Sequence, residues 1–313
     1  MRGLVLKSTG KIYTVELENG TIAHCFLRGK IRMEGLKTTN PVSVGDHVMV
    51  DNEEASDRFS ITEIEKRTNY IFRKSTNLSK QMQILASNID RLYIIATLKS
   101  PEIQLSFIDR FLVAAESFRI PASIIFNKID LLNESDLVRL QEISALYEKI
   151  GYPCLSISLE EDPAIEALQK EIDGKQVMIG GHSGVGKTTL VNTLDDSLDL
   201  RIGEISQAHL QGQHTTTFAE MHRLRSGGYI IDTPGIRAFG ITDLDRDVIS
   251  HYFPEMRDLI GQCKYHNCKH LNEPKCVVKE AVENGAIAAS RYMTYYQLMT
   301  EDQSEIHRKN KYD

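Results

Sequence analysis

Apolar and polar residues alternate with a period of two through the first stretch of the chain. Runs such as 11–17 (KIYTVEL) and 24–27 (HCFL) are separated by turn residues at Asn19-Gly20 and Arg28-Gly29, and Val44-Gly45-Asp46 leads into the strand-like 47–50 (HVMV). Five or so short strands within 1–68 predict a small β-barrel, and periodicity alone permits either an OB-fold or an SH3-like barrel. From about 69 to 88 the chain is polar and basic, with Arg67, Arg73, Lys74 and Lys80 near Tyr70 and Phe72, and reads as a linker. Beyond it, strand-like runs at 91–97, 122–126, 154–157, 176–179, 218–224 and 229–231 alternate with helical patterns at 107–118, 134–149, 163–171 and from Lys187 onward. Such alternation predicts a mostly parallel sheet with helices on both faces, spanning 69–244 with its linker. The remainder, 245–313, predicts a mainly helical domain with one helix from Val277 to about Met299 and a charged, fraying tail after Glu301.

A chain of 313 residues is long enough for two or three domains. Its net charge of −6 excludes a protein that coats nucleic acid with a generally basic surface, so any RNA contact must be local. The first residues lack a secretory pattern and no stretch reaches membrane-spanning length, from which a soluble cytoplasmic protein, free of membranes, is expected. Of the five cysteines, Cys25 and Cys154 stand apart in apolar surroundings, whereas Cys263, Cys268 and Cys276 crowd together with His266 and His270. In a reducing compartment that odd, clustered set favours a metal over disulfides. Three thiolates and one imidazole complete a closed tetrahedral shell, which predicts a structural site.

Residues 181–188, Gly181-His182-Ser183-Gly184-Val185-Gly186-Lys187-Thr188, match the full GxxxxGK[ST] pattern between a predicted strand and a predicted helix, with Thr189 following. The glycines let backbone N–H groups face phosphates, Lys187 reaches the β and γ oxygens, and the Thr188 hydroxyl can ligate Mg²⁺. Asp232 ends an apolar strand in Asp232-Thr233-Pro234-Gly235, where its carboxylate can hold the same Mg²⁺ through water and Gly235 can meet the nucleotide. Asn127-Lys128-Ile129-Asp130 supplies a guanine reader. Guanine presents N1–H and N2–H₂ donors, so the Asp130 carboxylate accepts from guanine and repels the N1 acceptor of adenine, while Asn127 buttresses the loop and the Lys128 stem covers the base. Ser158 can orient Asp130, and the Ser158-Leu159 backbone can meet O6. A kinase or metabolic ATPase is disfavoured by Asp130. The joint presence of Lys187, Thr188, Asp232 and Asp130 argues against an RNA-binding module with a decayed nucleotide site. The order is unusual, because the guanine motif precedes the phosphate loop; a circularly permuted chain accounts for it.

The motifs NKID at 127–130, GHSGVGKT at 181–188, GQHTTT at 212–217, DTPG at 232–235 and the Cys/His cluster together resemble the RsgA (YjeQ or YloQ) family of circularly permuted GTPases. The resemblance covers nearly the whole chain. It implies an α/β, circularly permuted P-loop GTPase domain between an N-terminal OB-fold barrel and a C-terminal zinc-binding helical domain. It further implies a monomeric late assembly factor of the small ribosomal subunit that contacts rRNA and whose GTP hydrolysis to GDP is stimulated by that subunit. The family pattern CxxxxCxHxxxxxC assigns one zinc ion to Cys263, Cys268, His270 and Cys276 rather than to His266. The family has Arg where this chain has Gln213.

Many GTPases place a water-orienting glutamine directly after the Asp-x-x-Gly motif. Here that position is Ile236, which cannot hydrogen-bond water, so slow intrinsic hydrolysis is expected. The resemblance offers His214 as the catalytic group, with one of Thr215, Thr216 and Thr217, taken as Thr216, on Mg²⁺. The short connection after Gly240 predicts that nucleotide state is felt in the C-terminal domain.

Overall fold

The structure, a computed structural model, describes residues 1–29, 40–53, 58–74, 82–159, 163–198, 219–232 and 245–301. Gln213, His214, Thr215, Thr216, Thr217, Gly235 and Ile236 lie outside the described residues.

Strands β1 (Arg2–Ser8), β2 (Tyr13–Leu17), β3 (Ile22–Leu27), β4 (His47–Glu53) and β5 (Arg58–Ile64) pair in the order β1-β2-β3-β5-β4, and β4 closes back on β1. The β3–β5 pairing is parallel and the others are antiparallel. That crossover is the Greek-key closure of an OB-like barrel and not a simple meander. Because successive side chains point to opposite faces, the alternation in the sequence sends Val5, Val15, Ala23, Cys25, Val48 and Ile61 into one barrel core.

The stretch read as a linker is a β-hairpin. Strands β6 (Tyr70–Lys74) and β7 (Met82–Ser87) pair antiparallel, with Ile71 and Ala86 in the main core and Phe72 edge-on to Phe118. Its charged residues masked this alternation of apolar positions. Arg67, just before it, is committed to the buried Asp46 carboxylate through Nε at 2.6 Å, and Ser87 Oγ donates to the same Asp46 at 2.6 Å.

The central sheet runs β10 (Cys154–Ser156), β9 (Ala122–Phe126), β8 (Arg91–Ala96), β11 (Gln176–Gly181), β13 (Tyr229–Asp232), β12 (Glu220–Arg223). All neighbours are parallel except the β12–β13 hairpin. Leu92, Ile94 and Ala96 face a core beneath α1 (Leu105–Phe118) and α2 (Glu134–Ile150). Tyr93 and Ile95 face the opposite core with α3 (Pro163–Ile172) and α4 (Lys187–Leu194). The barrel joins this sheet at its edge, where Lys7 of β1 pairs with Glu220 of β12 and their side chains form a 3.0 Å ion pair.

The C-terminal part contains a 3₁₀ run (Arg246–Tyr252), α5 (Pro254–Arg257), α6 (Val277–Glu283) and α7 (Ala289–Thr300). The single helix expected from Val277 is therefore two helices. Gly285 adopts φ 77°, a left-handed conformation that stops the first. Ile249, Phe253, Met256, Val278 and Leu298 form a core that takes in Val113 from α1. Arg291 of α7 is fully buried and bridges Asp109 of α1 (2.9 Å) and Glu255 of α5 (2.7 Å). Among the described residues, no helix is long and apolar enough to cross a membrane.

Candidate functional site

The first core strand of the chain, β8, lies in the middle of the sheet beside β11, the strand that feeds the phosphate loop. The guanine motif follows β9 and the phosphate loop follows β11, the two parallel neighbours of β8, so both emerge at the carboxyl ends of strands on the usual ligand-binding edge of an open α/β sheet. Asp232 is the last residue of β13, whose register sets Ile231 opposite Met178 of β11, so its backbone reaches the same edge.

Two glycines have no substitute in the loop. A Cβ at Gly181 would stand 2.4 Å from the Ile95 carbonyl oxygen, and one at Gly186, where φ is +98°, would stand 2.4 Å from Asn127 Nδ2. The backbone thus passes close enough for Asn127 Nδ2 to donate to the Val185 carbonyl at 2.9 Å. Lys128, in left-handed conformation at φ 63°, extends its ammonium to the carbonyls of Gly184 (2.8 Å) and Ser100 (2.7 Å). Its stem consequently spans the ground between the guanine motif and the phosphate loop. Ser158 Oγ donates to Asp130 Oδ1 at 2.9 Å, on an exposed carboxylate, and Leu159 approaches Gly186. Ile129 stands beside them at the start of a 3₁₀ turn (Ile129–Leu131).

Lys187 and Thr188 open α4 and are buried, whereas His182, Ser183, Gly184 and Thr189 are exposed. The Lys187 ammonium rests on the carbonyls of Gly181, at 3.0 Å, and His182. A helix N-terminus with its N–H groups and this cation together form an anion-binding pole. Two features were not foreseen from the sequence. Ser100 takes part only through its carbonyl, which leaves no trace in residue type, and Phe107 of α1 stacks on His182 with ring centroids 3.6 Å apart and planes 21° apart. An aromatic in the first turn of an amphipathic helix reads simply as core.

On the far side of α1, the ligand atoms of Cys263, Cys268, His270 and Cys276 all lie within 4.8 Å of one another. Cys263 Sγ is 3.9 Å from Cys276 Sγ and 3.6 Å from His270 Nδ1, and His270 Nδ1 is 3.4 Å from Cys276 Sγ. A tetrahedron with metal–ligand bonds of about 2.0–2.3 Å has edges of roughly 3.4–3.8 Å, so the set fits one tetrahedral ion. Burial pushes the Cys268 thiol up to about 12 and raises Cys276, so a thiolate set here calls for a cation at its centre. Tyr292 and Tyr295 of α7 donate to the carbonyls of His270 and Lys269, each at 2.7 Å, and the Glu273 carboxylate accepts from the N–H groups of Lys269 and Leu271. His266 is exposed and outside the group. The four residues can hold one structural metal ion.

A barrel, then a parallel sheet entered at its middle so that the guanine motif precedes the phosphate loop, defines a circularly permuted P-loop GTPase. Residues 64–242 match the model of the RsgA GTPase family and residues 2–58 that of the RsgA N-terminal domain. The chain belongs to the RsgA GTPases. It is 46% identical to the small ribosomal subunit biogenesis GTPase RsgA of Christiangramia forsetii, covering 100% of this chain and 99% of that protein. With its counterpart in Flavobacterium johnsoniae it shares 49% over 97% of this chain and 94% of that one. Among solved structures, YjeQ from Thermotoga maritima superimposes with a TM-score of 0.78 at 35% identity, covering 96% and 99% of the two chains. YloQ, described as a circularly permuted GTPase, gives 0.74 at 27%, covering 98% and 95%.

Proposed function

We propose that this chain hydrolyses GTP as an assembly factor of the small ribosomal subunit, in the cytoplasm and as a monomer. The observation that carries the reading is the clasp between guanine motif and phosphate loop: Asn127 on the Val185 carbonyl, Lys128 on the Gly184 carbonyl and Ser158 on Asp130. In this reading Asp130 accepts from N1–H and N2–H₂ of guanine, Lys128 covers the base, and the Ser158-Leu159 backbone meets O6. The backbone of 181–186, with Gly235, wraps the phosphates, Lys187 neutralises the β and γ oxygens, and Thr189 lies against the α-phosphate end. Thr188, Thr216 and Asp232 hold Mg²⁺, which supplies charge neutralisation between the phosphates. His214 orients water for in-line attack on the γ-phosphorus, a task the apolar Ile236 cannot perform.

The domains are 1–68, the barrel; 69–244, the GTPase domain; and 245–313, the helical domain, with zinc as the ion of the Cys₃His set. The small subunit as partner is supported by relatives named small ribosomal subunit biogenesis GTPases, and contact with its rRNA goes with that reading. GTP turnover, measured with and without purified small subunits, tests the proposal. Slow turnover alone and strong stimulation by subunits are expected, and His214→Ala should lose about two or more orders of magnitude of the stimulated rate while still binding GTP. Equal turnover with and without subunits, or equal affinity for ATP and GTP, sinks the reading.

A further inference from the structure

Helix α1 presents two faces to two different parts of the molecule. Phe107 and Phe111, one turn apart, point to the phosphate loop. Phe107 stacks on His182 and Phe111 packs on Gly180 at the loop's root, where a Cβ would meet the Phe111 ring at 2.6 Å. Asp109 and Val113, also one turn apart and about 200° around the helix from the first pair, point to the C-terminal domain. Asp109 accepts from Arg291 (2.9 Å) and Thr294 (2.7 Å) of α7, and Val113 enters the C-terminal core. Arg110 with Glu301 and Glu116 with Arg257 continue the same stripe. On a neighbouring face, about 100° around α7, Tyr292 and Tyr295 hold the metal-ligand loop.

We propose that Phe107 is a positioning residue of the phosphate loop, and that α1 carries the loop's state to the C-terminal domain through Asp109 and Arg291. The His182 ring that Phe107 braces belongs to the residue whose carbonyl accepts from Lys187, so a shift of the stack shifts the seat of the phosphate-binding ammonium. A regular helix anchored by buried groups on both faces moves as a unit. This route differs from the connection after Gly240 that the sequence suggests. The inference rests on the guanine-nucleotide reading above.

The full-length protein tests it by titration with a fluorescent GDP analogue and by hydrogen exchange with and without saturating GDP. In the wild type, GDP is expected to slow exchange across 291–299. Phe107→Leu, which keeps apolar bulk but removes the flat ring, should weaken GDP on the order of two- to tenfold and abolish the GDP-dependent protection of 291–299. Phe107→Tyr restores both, and His182→Ala reproduces the loss from the exposed side of the stack. The double variant Phe107→Leu, His182→Ala should be no worse than either alone. Protection of 291–299 that persists in Phe107→Leu overturns the inference, as does a wild type that binds GDP without protecting 291–299. A wild type that fails to bind GDP overturns the nucleotide reading itself and is recognised in the first titration.

Discussion

Replacing Arg291 with Met tests the joint between the GTPase and C-terminal domains. Arg291 and Asp109 have side chains with no solvent exposure, and Glu255 is only 11% exposed. The guanidinium makes three hydrogen bonds to these carboxylates, at 2.9, 2.7 and 3.2 Å, and lies over the Phe253 ring at 4.7 Å. Methionine fills much of the volume but leaves Asp109 with Thr294 and Tyr147 as its hydrogen-bond donors. Removing one partner of a buried pair costs about 3–5 kcal/mol, several times an exposed pair such as Arg2–Glu65. Arg291→Lys keeps the charge but cannot form both forks, and should cost about half as much. The pH dependence carries a sign. Burial already pushes the Asp109 carboxyl above its ordinary 3.8, and the guanidinium opposes that rise. Without Arg291 the folded-state pKa climbs further, so the unfolded chain ionises first and the variant loses stability relative to wild type as pH rises from about 4 toward neutrality. Denaturant unfolding followed by tyrosine near-ultraviolet dichroism, at pH 4.5 and 7.5, reads both effects. A loss under about 1 kcal/mol at pH 7.5, or a deficit equal at both pH values, would refute the reasoning.

Further outcomes follow from the nucleotide clasp, the metal cluster and the barrel seam. Asp130→Asn should shift preference from guanosine toward xanthosine nucleotides, because the amide donates where the carboxylate accepts; competition titration checks it. Zinc should co-purify at about one equivalent per chain, and Cys276→Ser should loosen the C-terminal domain while leaving GDP affinity near wild type, as elemental analysis and the same titration reveal. His47 of β4 sits 3.3 Å from Gln176 at the root of the phosphate-loop strand. Burial lowers its pKa below 6.5, helped by Arg2 and opposed by Glu65, Asp46 and Asp90. The unfolded chain therefore takes up the proton first, stability present above about 6.5 is lost as pH falls below it, and His47→Gln should flatten the melting temperature between pH 7 and 5.5.

Those features legible in the sequence share a physical cause: they depend on residue type at fixed spacing. The alternation that builds the barrel core, the glycines that approach Ile95 and Asn127, and the clustering of Cys263, Cys268 and Cys276 follow from local pattern, whereas the choice of His270 over His266 comes from the family resemblance. What escaped depends on distant partners. The hairpin β6–β7 was hidden because its charged residues outweigh an apolar stripe whose burial is set by α1 and the main core. Arg67 counts in the sequence only as one more basic residue beside the linker, and its bond to Asp46, 21 residues away, appears only in the fold. The break between α6 and α7 needs one glycine at positive φ, which a helical period passes over. Asp109 is an acidic residue in the middle of an amphipathic helix, and its burial makes sense only beside Arg291.

Permutation explains where the two appended parts attach. Among the described residues the chain enters the central sheet at β8 and its last core strand is β13, and 245–301 form a separate helical unit. That unit docks on α1, the helix that follows the first core strand, whereas the barrel docks on β12 through Lys7–Glu220 and Glu16, which holds Arg223 and Tyr229. In sequence, β12 and β13 lie between 199–218, which holds His214–Thr217, and 233–244, which holds Gly235 and Ile236. The barrel is thus tied to the strands that join those two segments, and the C-terminal domain to α1, whose Phe107 stacks on His182 of the phosphate loop.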